Sequence, residues 1–399
     1  MQYQLAPATH QGMNISEFQA GSEEQQYQYR CFLPNPINRE WVLTEPRTLT
    51  LLEEANRLLG ELNAYSQLIP DVDFFIRMHV TKEAATSSRI EGTQTNIEEA
   101  LVDAQDIDPE KRDDWQEVQN YIRAINFAIE KLGTLPLSNR LLRETHAILL
   151  DGVRGKHKQP GEFRTSQNWI GVSLKHATFI PPHHEHVPEL MGDLELFMHN
   201  DRIHVPHLVR IALLHYQFET IHPFLDGNGR LGRLMIVLYL VGFGLLAKPA
   251  LYLSDFFERH KGEYYDHLMA VRTTSRLSPW LDFFLVGVCE TAAASIQVFK
   301  DILSLKERIE REKLPTFHVR RQANAQALMR RLYQSPVVSI KVVARFLDTQ
   351  TNTAAALVQD FVKLGILREF TGGQRNRLFI FDEYVRLFMG SPTEQTDAT

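Results

Sequence analysis

The segment His222-Pro223-Phe224-Leu225-Asp226-Gly227-Asn228-Gly229-Arg230-Leu231-Gly232-Arg233 lies between two strongly apolar runs. Before it, Leu208, Ile211, Leu214, Tyr216 and Phe218 predict a core-facing helix; after it, the run Leu234–Ala247 predicts a buried central helix. A polar loop with three glycines held between buried helices is a rigid support for a site. Residues 227–232 also fit G-x-G-x-x-G, but a dinucleotide-binding turn needs a strand immediately before it, and here a helix and His-Pro-Phe precede. The sequence holds no GxxxxGK[ST] either, so two common phosphate loops are excluded.

The segment offers another route to a phosphate. Gly227 and Gly229 free the backbone to turn N–H groups inward, and a helix starting near Arg230 adds open N–H groups and a positive dipole end. Arg230 and Arg233, three apart, fall on one face and can grip phosphate oxygens in forked geometry. Cations at a helix N-terminus oppose the dipole, so their placement costs stability unless an anion binds there. Asp226 is a hard oxygen ligand suited to Mg²⁺, and His222 can exchange a proton near neutral pH. Singly, Asp226 could be an N-cap, His222 a satisfied loop histidine and either arginine a surface residue. Their concentration within twelve residues favours a site.

Outward from this segment the chain reads as mainly α. Its 399 residues, 44% hydrophobic and 23% charged, suit two or three globular domains, and 21 Gly plus 18 Pro exclude collagen-like or low-complexity classes. Residues 1–45 are Gln-rich and interrupted by Pro34 and Pro36, which predicts an arm laid on the surface. From Glu45, Leu49, Leu52, Leu58, Leu59 and Leu62 recur at helical steps, and similar helices follow to about residue 300. The irregular stretch 154–188 predicts a hairpin with strands Gly171–Leu174 and Ala177–Ile180. It also holds His183, His184 and His186; the spacing is not HExxH, no cysteine stands nearby in sequence, and Pro181-Pro182 favours an extended surface segment, all against a metal. After residue 310 the helices Ala325–Leu332, Ile340–Phe346 and Asn352–Leu364 precede strands Ile366–Phe370 and Arg377–Phe381 around a Thr-Gly-Gly-Gln turn, the order of a winged helix-turn-helix. The expected parts are thus residues 1–134, 135–300 and 310–390, ending in a polar tail.

Net charge is −6, yet residues 316–384 carry ten Lys/Arg against five Asp/Glu, which admits DNA as a partner of that module. No Arg or Lys precedes Lys363 on the would-be recognition helix, so a docking module fits as well. Cys31 and Cys289 are too few for a disulfide framework or a zinc site and suit a reducing compartment. With no basic-then-apolar leader and a longest uncharged apolar run of fourteen residues, the expectation is a cytoplasmic protein without a membrane role.

The twelve-residue segment matches HPFx[DE]GNGRxxR at every defined position, and on it the chain resembles the Fic (fido) family, whose enzymes mostly transfer AMP from ATP to protein hydroxyls. The resemblance implies an all-helical core with a β-hairpin flap. His222 would be the catalytic base, taking the proton of a Ser, Thr or Tyr hydroxyl; Asp226 would hold Mg²⁺. Gly227, Asn228, Gly229, Arg230, Leu231, Gly232 and Arg233 would surround the phosphates of ATP. The flap would fall at His176, Ala177, Thr178 and Phe179, aligning a target segment by strand addition. Tyr264 and Tyr265 would stand at the adenine pocket, unless Tyr265 is helix core packing. The partners implied are ATP and a protein hydroxyl, and a homodimer is admitted.

Ser87-Ser-Arg-Ile-Glu91-Gly92 resembles the same family's inhibitory motif, [ST]xxxE before Gly or Asn. The residues agree with a break there. A helix should end at Gly92 as C′ residue, leaving Glu91 at the end where a negative charge opposes the dipole, and Thr95 with Glu98 forms a capping box for the next helix. The resemblance pairs Glu91 with Arg233, obstructing the γ-phosphate, and admits AMP removal as a second activity. A regulator or adaptor acting through residues 316–384, with a nucleotide-sensing core, is the alternative. Transfer of UMP or phosphocholine is another.

Overall fold

The computed structural model describes residues 12–68, 72–152, 157–371 and 377–389. Among them are fifteen α-helices and four small sheets, and the mainly α class holds. The chain forms two compact units, residues 1–60, 123–246 and 251–292 in one and 61–122, 247–250 and 293–399 in the other.

At the centre of the first unit are the helices His207–Ile221 and Asn228–Gly242, joined by the His222–Gly227 loop. From Leu208 to Ile221 every residue is buried, so this helix has no polar face to show and its polar side chains serve the interior. Buried Arg210 donates to the carbonyls of Phe197, Met198, Asn200 and Ile203, closing the end of the Val187–His199 helix. Gln217 donates to the carbonyl of Asn35.

The N-terminal stretch departs from the surface arm expected for residues 1–45. Its strands Gly21–Gln25 and Arg30–Pro34 pair antiparallel, and Met13–Asn14 pairs parallel with Trp41–Val42. Ile15, Phe18, Ala20, Cys31, Ile37 and Trp41 are buried. Phe18 meets Trp41 edge-on at 4.9 Å, and the Trp41 indole N–H donates to the Ile37 carbonyl. The stretch hides this because short strands alternate with turns, so no period persists long enough to read. The Leu174–His176 segment is a 3₁₀ turn, and the hairpin strands are Ile170–Gly171 and Ala177–Phe179; the strand expected at Gly171–Leu174 is therefore displaced toward its N-terminal end.

In the second unit, helix Val72–Ile90 packs His79 against Phe299 and Phe388, and Phe75 against Tyr333 and Tyr384. Its end carries two bonds of a Schellman motif, Gly92 N–H to Arg89 O and Thr93 N–H to Ser88 O, with Gly92 at φ +103°. The capping box that follows is Asn96 with Glu99, one residue later than Thr95 with Glu98; Asn is the stronger cap, and Thr95 is buried. Further on, helices Val319–Gln334, Ile340–Phe346 and Thr351–Lys363 accompany strands Val337–Ser339, Arg368–Glu369 and Leu378–Ile380, with the last strand in the middle of the sheet. A helix Asp382–Met389 closes the described chain. The Thr-Gly-Gly-Gln turn beyond Thr371 and the polar tail lie outside the described residues. The helical run Ser278–Thr316 is long and apolar enough, by length and composition, to cross a membrane; it carries charged residues, and half of its apolar window is buried in the protein.

Candidate active site

His222 is the C-cap of the His207–Ile221 helix, held left-handed at φ 49° and ψ 62°, with its N–H donating to Phe218 O. Pro223 cannot prolong the helix, and a non-glycine residue in this conformation costs about 1–2 kcal/mol. Two side chains from the irregular stretch hold it there. Arg164 Nε donates to the His222 carbonyl at 3.0 Å and Asn168 Nδ2 to the same carbonyl at 3.2 Å and to Phe224 O at 2.9 Å. Arg164 is buried and spends its other donors on Ser166 O, Pro182 O and Ile221 O. Burial pushes its guanidinium down to about 10, which leaves it protonated at neutral pH. Neither Arg164 nor Asn168 belongs to a local motif, and the sequence reading missed both.

The loop is stapled from within and from behind. Asn228 accepts from Phe224 N–H and donates to Phe224 O, both at 2.8 Å. The His146 ring stacks on Phe224 at 3.8 Å. Because His146 Nδ1 accepts the Gly161 N–H, its Nε2 carries the proton and donates to Asp226 O at 2.9 Å. Burial lowers His146 to about 4, so this second histidine beside the loop stays neutral and cannot act as a base near pH 7.

The helix begins at Asn228, two residues earlier than Arg230, with Gly227 as N-cap at φ +75° and no side-chain cap. The first-turn N–H groups of Asn228 and Gly229 thus have no intrahelical acceptor. Arg230 and Arg233 are buried on this same turn, and Arg230 Nη2 lies 3.7 Å from Asp226 Oδ1. Asp226 does not cap the helix; its Oδ1 accepts Gly227 N–H at 2.6 Å, and its half-exposed carboxylate keeps Oδ2 available to a hard cation. Leu231 is wholly buried, and a Cβ at Gly232 would meet Glu219 Oε1 at 2.2 Å, so these two contribute packing. The Gly232 carbonyl accepts His215 Nδ1–H, whose Nε2 in turn accepts the Tyr264 hydroxyl. Buried His215 is lowered to about 3.

Tyr264 is therefore core, stacked on Phe257, and Tyr265 is the exposed member of the pair, the reverse of the alternative that put Tyr265 in the helix core. In the hairpin, Phe179 pairs with Ile170 and lies under the Arg272 guanidinium at 3.9 Å, while Thr178 is exposed and Ala177 pairs with Gly171. His176 precedes this strand in the 3₁₀ turn. In the second unit Ser87 is fully buried, whereas Glu91 follows the last residue of its helix as an exposed C-cap before Gly92.

Fold and loop define a helical domain built around an anion-receptive helix N-terminus with a histidine at its threshold. Residues 136–240 match the model described as Fic/DOC family, and residues 49–130 match that described as Fic/DOC family N-terminal. It is 26% identical over 278 residues to "Protein adenylyltransferase Fic" of Aedes aegypti, and 27% over 278 residues to that of Culex quinquefasciatus. Each match covers 64% of this chain and 51% of the relative, so the chain spans about half the length of the curated relatives it matches. Among solved structures, a Fic family protein from Desulfovibrio desulfuricans G20 shares the fold at a TM-score of 0.53 and 20% identity, covering 84% of this chain and 96% of that one.

Proposed function

We propose that the protein transfers the adenylyl group of ATP to a Ser, Thr or Tyr hydroxyl of a protein, itself included. The observation that carries this is the loop: a histidine whose backbone is clamped by Arg164 and Asn168, six residues ahead of a helix start with open N–H groups and two buried arginines. The hydroxyl proton passes to His222 as its oxygen attacks the α-phosphorus; the bond to the β-phosphate oxygen breaks and pyrophosphate leaves. The Asn228 and Gly229 amides with Arg230 and Arg233 hold the phosphates, stabilising charge where it develops. Asp226, oriented by Gly227, would hold Mg²⁺, which supplies neutralisation of phosphate charge. The exposed Thr178 edge of the hairpin presents the target segment, and Tyr265 flanks the adenine. ATP labelled at the α-phosphate is expected to label the protein and His222→Ala to abolish this; label arriving only from the γ-phosphate would overturn the reading.

We further propose that Glu91 restrains the enzyme by pairing with Arg233 and displacing the γ-phosphate. A carboxylate at a helix C-cap is opposed by the dipole and gains from a cationic partner, which supports the reading. Glu91→Gly should raise self-modification, and an unchanged rate counts against it; release of AMP from modified protein, lost in Glu91→Gly, tests removal as a second activity. Residues 319–389 are read as a winged helix-turn-helix, on the order of helices and the three-stranded sheet. Thr351, Asn352 and Thr353 stand exposed at the start of the third helix of that module, which favours a second reading as a DNA-binding regulator. Mobility shift with salt titration tests it, since phosphate contacts weaken steeply with salt.

A further inference from the structure

We propose that His183, His184 and Glu185 form a binding site for a divalent transition-metal ion of the zinc class, and that the bound ion stiffens the segment between the hairpin and the Val187–His199 helix, on whose Pro182 carbonyl Arg164 rests. Sequence spacing argues against a metal here because consecutive side chains diverge on a helix and alternate on a strand. The backbone does neither: His183 is extended at φ −55° and ψ 142°, and His184–His186 turns at once into a 3₁₀ helix. This kink brings one ligand atom of each residue within 4.8 Å of the others. His183 Nδ1 lies 3.6 Å from Glu185 Oε2, and the two imidazoles sit 4.2 Å apart. Among the described residues, His184 Nδ1 is buried with no hydrogen-bond partner, the cost a ligand would relieve.

Two imidazoles and one carboxylate with an open position are a donor set that zinc accepts, water completing it. Ligand atoms on a tetrahedral zinc sit about 3.4 Å apart, so side-chain rotation has up to about 1.4 Å to close. The Arg164 charge opposes a cation nearby, and the carboxylates of Glu185 and Glu24 offset it; Glu24 already holds His186 Nε2 at 3.3 Å and lies 3.7 Å from Cys31 Sγ. The sequence places that thiol far from the histidines, and the Gly21–Gln25 and Arg30–Pro34 hairpin returns it.

The site stands one residue from the active loop's own clamp. Pro182 O accepts Arg164 Nη2 at 2.5 Å, and Arg164 Nε holds His222 O. An ion fixing residues 183–185 therefore fixes the carbonyl on which Arg164 rests.

The test is calorimetric titration of the full chain with zinc chloride at neutral pH without nucleotide. One ion per chain is expected, with affinity weakened about tenfold or more by His184→Asn and by Glu185→Gln, and unchanged by His157→Asn outside the cluster. Zinc should raise the melting temperature of the wild type and leave that of His184→Asn in place. Glu185 is exposed, so its variant carries the test if His184→Asn fails to fold. Absence of saturable binding, or binding kept in both variants, overturns the proposal.

Discussion

Replacing Arg164 by methionine should cost both stability and catalysis, for one reason. The side chain is 2% exposed and makes no ion pair among the described residues, yet it satisfies four backbone carbonyls. Leaving a buried carbonyl without a donor costs about 1–3 kcal/mol; His222 O keeps Asn168, so the other three together come to about 3–9 kcal/mol. Against this, removing the charge recovers its burial penalty: the guanidinium's fall from its ordinary value to about 10 corresponds to about 3 kcal/mol. The difference, from near zero to about 6 kcal/mol with a middle near 3, should lower the melting temperature of its unit by several degrees.

Catalysis separates positioning from mere stability. With Pro182 O released and His222 O left to Asn168 alone, the imidazole's start point loosens, and a displacement of about 1 Å is enough for about a hundredfold loss. Single-turnover self-adenylylation at saturating ATP, below the melting transition, should therefore show a reduced kcat with KM for ATP little changed. Arg164→Lys keeps the charge but offers its three donors from one point rather than a planar fork, so it should restore stability in part and kcat less. A methionine variant with wild-type melting and wild-type kcat would refute the reasoning.

Acid should destabilise the protein through its buried neutral histidines. His146 and His215 have folded values of about 4 and about 3, below an unfolded value near 6.5, so their stabilisation is complete above pH 6.5 and is lost as pH falls toward 4 and then 3. Urea unfolding from pH 7 to 4.5 should show stability falling by about 1.4 kcal/mol per pH unit for each, and His146→Asn should remove one proton from that slope; a flat profile would contradict it. Gly232→Ala forces a Cβ against Glu219 Oε1 and to 3.1 Å from Phe218, at about 1–3 kcal/mol; Glu219→Ala in the same chain should recover part of the melting temperature, and additive losses would contradict the clash.

The loop could be read from sequence because its chemistry is local: base, carboxylate, glycines and arginines share twelve residues. What lay outside that window was not legible. Arg164, Asn168 and His146 act from 54 to 80 residues away along the chain, and nothing near them marks an arginine that will be buried on carbonyls. Other misses had a signal that was available. Tyr264, Leu268 and Val271 fall at i, i+4 and i+7, a core stripe that assigns Tyr264 and not Tyr265 to the interior. Thr95 with Glu98 and Asn96 with Glu99 both fit a capping box, and the preference for Asn over Thr would have chosen the second.

The site gathers features that each work against stability. His222 is left-handed without being glycine; two buried arginines sit at the positive end of a helix; a third, Arg164, is buried with no carboxylate partner among the described residues. Elsewhere the same fold follows ordinary rules, closing helix ends with Arg210 or with Gly92. Local conflicts concentrated in one loop persist only where surroundings over-determine them, and here the surroundings are visible: Asn228, Asn168 and the His146 stack fix the loop from three sides. An anion at the Asn228 and Gly229 amides would remove the electrostatic part of that cost and leave the backbone strain at His222 untouched. Binding therefore neutralises the arginines while the imidazole stays where the clamp put it, which is the condition for a base to meet a phosphate-bound substrate already in position.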